Sequence, residues 1–97
     1  MTERWATEID KKRSAKARKR TALVYRVVGV YGSIEGVKQS AMLGLLDWPV
    51  DVVHARRLDN SLNLLSKLNL ISLGRNGAWY PVSTRRRAGR ELIEAWG

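Results

Sequence analysis

A chain of 97 residues is long enough for one compact core and short for two. It has no cysteine and a single histidine, which excludes disulfides, thiolate nucleophiles and thiolate metal sites and leaves no imidazole set for zinc or iron. Lys and Arg number 18 against 9 Asp and Glu, a net charge of +9, which favours a polyanionic partner, with nucleic acid ahead of acidic protein or anionic lipid.

The charge is unevenly spread. Residues 1–20 carry eight bases and three acids, and residues 21–97 carry ten and six. Lys11, Lys12, Arg13, Lys16, Arg18, Lys19 and Arg20 follow one another without an intervening acid. Like charges three and four residues apart repel, so this run makes a poor helix unless phosphates lie beside it. It reads either as a basic N-terminal arm over 1–20, partly disordered or helical, that orders on a nucleic-acid backbone, or as a solubilising tail or the solvated front of the next helix. Upstream, Trp5 and Ile9 are spaced for one apolar helical turn. The N-terminus lacks the apolar segment of a signal peptide, and no stretch approaches the roughly 18 apolar residues of a membrane span. A soluble cytoplasmic, nucleoid-associated protein without a membrane partner is the expectation.

The folded domain is expected over 21–97. Leu23, Val24, Val27, Val28 and Tyr31 form a wide apolar stripe at helical period, predicting a first helix over 21–31. Its β-branched residues weaken local propensity, so burial must hold it. Gly32 and Ser33 end it, and Ile34 is available for a one-bridge strand. A second helix is predicted over 37–46, with Val37, Ala41, Met42, Leu45 and Leu46 on one face. Asp47-Trp48-Pro49 stops it, because proline disfavours helical dihedrals in the residue before it.

A third helix is predicted from 50 to about 68, with Val50, Val53, Leu58, Leu62, Leu65 and Leu68 on its apolar side. Pro49 or Val50 opens it and Asp47 or Asp51 caps it. The period then changes. Apolar runs at 70–73 and 78–82 flank Gly74-Arg75-Asn76-Gly77, and an Asn-Gly pair in that position signals a hairpin whose two residues tolerate positive φ. Pro81 confines the second strand to an edge or to its outgoing end. Ser83 or Thr84 caps a last helix with Ala88, Leu92, Ile93 and Trp96 on one side. Pairs from Arg87 to Glu91 and from Arg90 to Glu94 lie on its exposed face. The fold class is mainly α with a small β-hairpin.

This order of elements resembles the winged helix-turn-helix superfamily, MarR-like bacterial and phage regulators among them, over about residues 22–96. The likeness is carried by Leu62-x-x-Leu65-x-x-Leu68-Asn69-Leu70-Ile71 and by Val82-Ser83-Thr84 followed by Gly89-Arg90-Glu91-Leu92. Asn69 stands where these families usually have glycine, asparagine being the best substitute for a left-handed cap. Four residues separate Thr84 from Gly89 where two are usual, an insertion in the wing or the last helix.

The resemblance implies about four helices plus a wing, double-stranded DNA as partner, and the third helix in the major groove. On this sequence the base-contacting candidates are His54, Arg56, Arg57, Asn60 and Ser61. Arginine forks match guanine and asparagine matches adenine, each good pair discriminating by roughly 1–3 kcal/mol. Asp59 weakens the site by repelling phosphate unless it pairs with Arg56. Backbone candidates are the seven cations of the arm, Arg75 at the hairpin tip, and Arg85 and Arg86, which open the last helix where cations oppose its dipole.

The expected function is sequence-specific binding of double-stranded DNA. By analogy of size and composition it would be a small transcriptional regulator of phage, viral or plasmid type. No convergent carboxylates, phosphate-cradling loop or activated nucleophile points to an enzyme, and no cofactor is implied. The alternatives are a winged-helix adaptor on a larger transcription or replication protein, anchored by Trp48, Trp79 or Trp96, and RNA binding through the arm. Otherwise Trp48 and Trp79 lie as lids on the core. Leu92, Ile93 and Trp96 either complete the core or form a homodimer seam.

Overall fold

The computed structural model describes residues 15–97. Four α-helices and a small three-stranded antiparallel sheet make up the described residues, in the order α1 (Ala15–Tyr31), β1 (Val37–Lys38), α2 (Gln39–Leu46), α3 (Val52–Lys67), β2 (Ile71–Leu73), β3 (Ala78–Pro81) and α4 (Arg86–Trp96). A single 3-10 turn, Ser83–Arg85, leads into α4. Trp5 and Ile9, with Lys11, Lys12 and Arg13, lie outside the described residues.

Helix α1 starts six residues before the apolar stripe predicted it, so Lys16, Arg18, Lys19 and Arg20 belong to its first turns. Burial further along the helix offsets the repulsion among those cations. Ala22, Val24, Tyr25 and Val28 are buried, and α1 packs on both α3 and α4. Each large apolar side chain taken fully out of water contributes about 1.5–3 kcal/mol, and the core holds Met42, Leu58, Leu62, Leu65, Leu70, Ile71 and Leu92 in that state. Leu23 and Tyr31, assigned to the buried stripe by periodicity, are exposed instead.

The second predicted helix is split. Val37 and Lys38 form strand β1, pairing Val37 with Trp79 and Lys38 with Ala78, and the helix begins only at Gln39. Of its predicted apolar face Met42 is buried, Leu46 is half-buried, and Ala41 and Leu45 are exposed. Strand β3 is central, with β2 on its other side in the register Ile71 to Pro81, Ser72 to Tyr80 and Leu73 to Trp79. Pro81 therefore sits at the outgoing end of β3, beyond the reach of β1, where a missing N–H breaks no central ladder.

Between β2 and β3 the turn closes through Gly77 N–H to the Gly74 carbonyl at 3.0 Å and Gly74 N–H to the Ala78 carbonyl at 2.8 Å. Only Gly77 takes positive φ, at 78°. Asn76 acts through its side chain, its carbonyl accepting from Ala78 N–H and its amide donating to the Tyr80 hydroxyl. Tyr80 in turn donates to the Glu35 carbonyl, which ties the loop after α1 to the hairpin.

Helices α2 and α3 end by the same device. Asp47 takes φ 58° and Asn69 takes φ 62°, both left-handed. Trp48 N–H then reaches the Leu43 carbonyl and Leu70 N–H reaches the Leu65 carbonyl, satisfying acceptors a helix end leaves open. Left-handed dihedrals cost an ordinary L-residue about 1–2 kcal/mol. Asn69→Val is expected to lower stability by about that amount while Asn69→Gly leaves it nearly unchanged, read from urea unfolding. Asn69 is exposed, so the difference reports the backbone and not packing.

Candidate nucleic-acid interface

Helix α3 is fixed at both ends and along one side, which determines what its outer face presents. At its start Asp51 is the N-cap, its carboxylate accepting from His54 N–H at 2.7 Å. The same carboxylate meets His54 Nδ1 at 2.8 Å, and the imidazole tilts against Trp48 with ring centroids 6.3 Å apart. His54 is thus engaged with the cap and only partly open to solvent.

Hydrogen bonds from the His54 backbone and then its side chain hold the Asp51 carboxyl below its ordinary value. A folded-state value below the unfolded one means the cap stabilises α3 above the ordinary carboxylate range and is lost as pH falls through the depressed value. As pH falls beneath the ordinary carboxylate range and through that depressed value, the first turn of α3 is therefore expected to fray. Faster amide exchange at His54, with Leu65 still protected, is the signature to look for.

Along the inner side, Leu58, Leu62 and Leu65 enter the core, and Ser61 goes with them. Ser61 is 4% exposed and shares a 3.3 Å hydrogen bond with the Thr21 hydroxyl of α1, which also donates to the Ala17 carbonyl. This corrects its assignment as a base contact: Ser61 is a buried link between α1 and α3. Its position three residues after Leu58 was the available signal.

Arg56, Arg57, Asn60, Asn63 and Lys67 are exposed. Asn60, Asn63, Leu64 and Lys67 line a shallow groove of about 320 Å³ along the helix. Asp59 is exposed too and accepts a hydrogen bond from Gln39 Nε2 at the start of α2. The cationic start of α1 lies beside this face. Burial, and then the neighbouring Arg57 charge, lowers the Arg20 pKa from its usual value.

The first turn of α3 differs from expectation. Val50 and Val53 were assigned to the buried stripe, yet Val50 is 87% exposed and Val52 is 76% exposed, with Val53 also open. At about 100° per residue Val53 lies roughly 140° from Leu58, so it cannot share the core face once the helix begins at Val52. Three valines therefore flank the cap and are presented with Arg56 and Arg57. The capping pattern Asp51 to His54 was the signal that fixes this start.

The remaining candidates separate. Lys16 and Lys19 are exposed on α1, Arg18 and Arg20 are half-buried, and Arg75 is exposed in the β2–β3 turn. Arg86 is exposed on α4. Arg85 is a correction: it is half-buried and its Nη2 donates to the Leu68 carbonyl at 3.3 Å, so it stabilises the end of α3. Trp79 and Trp96 are buried and Trp48 packs partly buried on the core, which removes two of the three tryptophans as exposed anchors. Leu92 and Trp96 are likewise occupied in the core, leaving only half-buried Ile93 of the proposed dimer seam.

Among the described residues no group of three His, Asp or Glu is arranged to hold a metal ion, and no helix is long and apolar enough to cross a membrane. No protein-family model matches the chain, and no curated protein and no solved structure shows significant similarity to it.

Proposed function

We propose that the protein binds double-stranded DNA sequence-specifically, as a winged helix-turn-helix domain. In this reading α2, the Asp47-centred turn and α3 form the helix-turn-helix, and the β2–β3 hairpin is the wing. The observation that carries it is the outer face of α3, where Arg56, Arg57 and Asn60 are exposed beside the cationic first turns of α1. Those side chains have the donor geometry for guanine and adenine edges, and the exposed valines offer apolar contact to thymine methyl groups. Lys16, Lys19 and Arg20 then meet phosphates, and Arg75 and Arg86 are further candidates for the backbone. Function as a small regulator of phage, viral or plasmid type rests on size and composition alone.

Selection from a random duplex pool at about 150 mM salt, where screening is already strong, tests the reading. Enrichment of one sequence is expected, with log affinity falling steeply and linearly as log salt rises. A pool that emerges unenriched overturns sequence-specific recognition, and equal binding of single-stranded RNA would assign the basic surface to RNA instead. A second reading is favoured by Val50, Val52 and Val53, three apolar side chains in water at one corner. They suit an adaptor that docks on a larger transcription or replication protein, and that reading predicts weak, sequence-blind DNA binding.

A further inference from the structure

Between α1 and α4 lies a recess of about 540 Å³, lined by Tyr25, Gly29, Ser33, Pro81, Arg86 and Arg90. It contains no residue of α3 or of the hairpin turn, so the duplex-binding reading does not use it as a whole. We propose that this recess binds a small phosphate monoester, held by Arg86, Arg90 and the hydroxyls of Tyr25 and Ser33.

Three observations point to a ligand. Tyr25 lines the recess and is 8% exposed, and its hydroxyl makes no hydrogen bond among the described residues. A solvent-accessible phenol without a protein partner is free to donate to a ligand. Burial raises the Tyr25 pKa, with the Arg86 charge opposing that rise, so the phenol keeps its proton. Secondly, Arg86 and Arg90 are one turn apart on α4, and neither has an ion-pair partner among the described residues. Arg87 between them pairs with Glu91 at 3.9 Å. Two unpaired cations on one face at the start of a helix repel each other and oppose its dipole, a cost that a bound dianion would reverse.

Thirdly, glycine fixes where the Tyr25 ring lies. A Cβ at Gly89 would collide with the Tyr25 hydroxyl, and the space beside Gly29 is open. Gly89 thus lets the tyrosine ring and its hydroxyl pack directly against the backbone of α4.

The chemistry of the lining selects the ligand. Two guanidinium forks and two hydroxyls all offer protons, and no carboxylate lines the recess. A phosphate monoester brings close to two negative charges at neutral pH and three terminal oxygens, whereas a carboxylate brings one charge and two oxygens. Arginine suits such a site because its planar fork holds two oxygens at once.

The test titrates the full chain, isotopically labelled for amide NMR, with phenyl phosphate and separately with benzoate at pH 7.5 and constant ionic strength. Phenyl phosphate is expected to shift the amides of Gly29, Ser33, Gly89 and Arg90 saturably, with benzoate at least tenfold weaker. Arg90→Gln should weaken phenyl phosphate tenfold or more and Tyr25→Phe several-fold, while Arg87→Gln, the same charge change on the same helix, leaves it unaltered. Equal binding of benzoate, shifts spread evenly over every basic residue, or equal loss from Arg87→Gln and Arg90→Gln would overturn the proposal. So would a duplex that moves these four amides when phenyl phosphate does not, which would assign the recess to the nucleic-acid backbone. Failure of duplex selection leaves this result untouched, since Arg86 is the one residue both readings use and the phenyl phosphate shifts are read at Gly29, Ser33, Gly89 and Arg90.

Discussion

Trp96→Ala is expected to lower the unfolding free energy by about 3–5 kcal/mol, the usual cost of truncating a buried tryptophan. Trp96 is 2% exposed and belongs to the same cluster as Leu92, Ala88 and Leu65. It is the last residue of α4, so without it the helix loses the anchor that holds its end to the core. A domain of this size has only about 5–15 kcal/mol of stability in total, so the variant should be partly unfolded at modest urea. Urea unfolding at two protein concentrations twentyfold apart separates the core role from a dimer role. The core role predicts a large loss at both concentrations and a wild-type midpoint that does not move with concentration. A wild-type midpoint that rises with concentration, and ceases to do so in Trp96→Ala, would restore the seam.

The second large effect concerns α3. Arg56→Ala and Arg57→Ala are each expected to weaken the preferred duplex by about 1–3 kcal/mol, on the order of ten- to a hundredfold, and to relax preference at the position each one reads. Both side chains are exposed and neither supports the core, so the fold should survive. Arg20→Ala is the informative contrast. Its guanidinium lies near Arg57 but on α1, and its assigned partner is a phosphate. Loss there should weaken all duplexes alike and reduce the salt slope by about one. Equal and sequence-blind losses from all three would remove base reading from α3.

Periodicity revealed the elements whose burial is continuous. The later part of α1, the Leu58–Leu62–Leu65 side of α3, the hairpin and α4 were all legible in the sequence because apolar spacing there coincides with the core face. It failed where apolar residues lie outside the core. Val50 and Val53 looked like the front of the α3 stripe, but Asp51 accepts from His54 N–H and starts the helix at Val52, turning the valines outward. Strand β1 was invisible because two residues cannot display an alternating pattern, and Val37 is buried by pairing with Trp79 instead of by a helical face.

For the site, charge located the right helix but not every side chain. Ser61 looked like a polar surface residue and is buried because Thr21 supplies its hydrogen bond across forty residues of sequence. Arg85 looked like its neighbours in a basic triplet, but the chain turns it toward the Leu68 carbonyl. The left-handed turn at Asp47 and the recess under Tyr25 depend on backbone dihedrals and helix crossing, which a single sequence encodes only indirectly.

The most direct measurement is a map of backbone amide shifts when the full chain is saturated with its best selected duplex. Amides over 52–60 and those of Lys19 and Arg20 are predicted to move together, and Arg57→Ala should shrink the α3 shifts at the same duplex concentration. Shifts that avoid α3 while the duplex is bound would contradict the account.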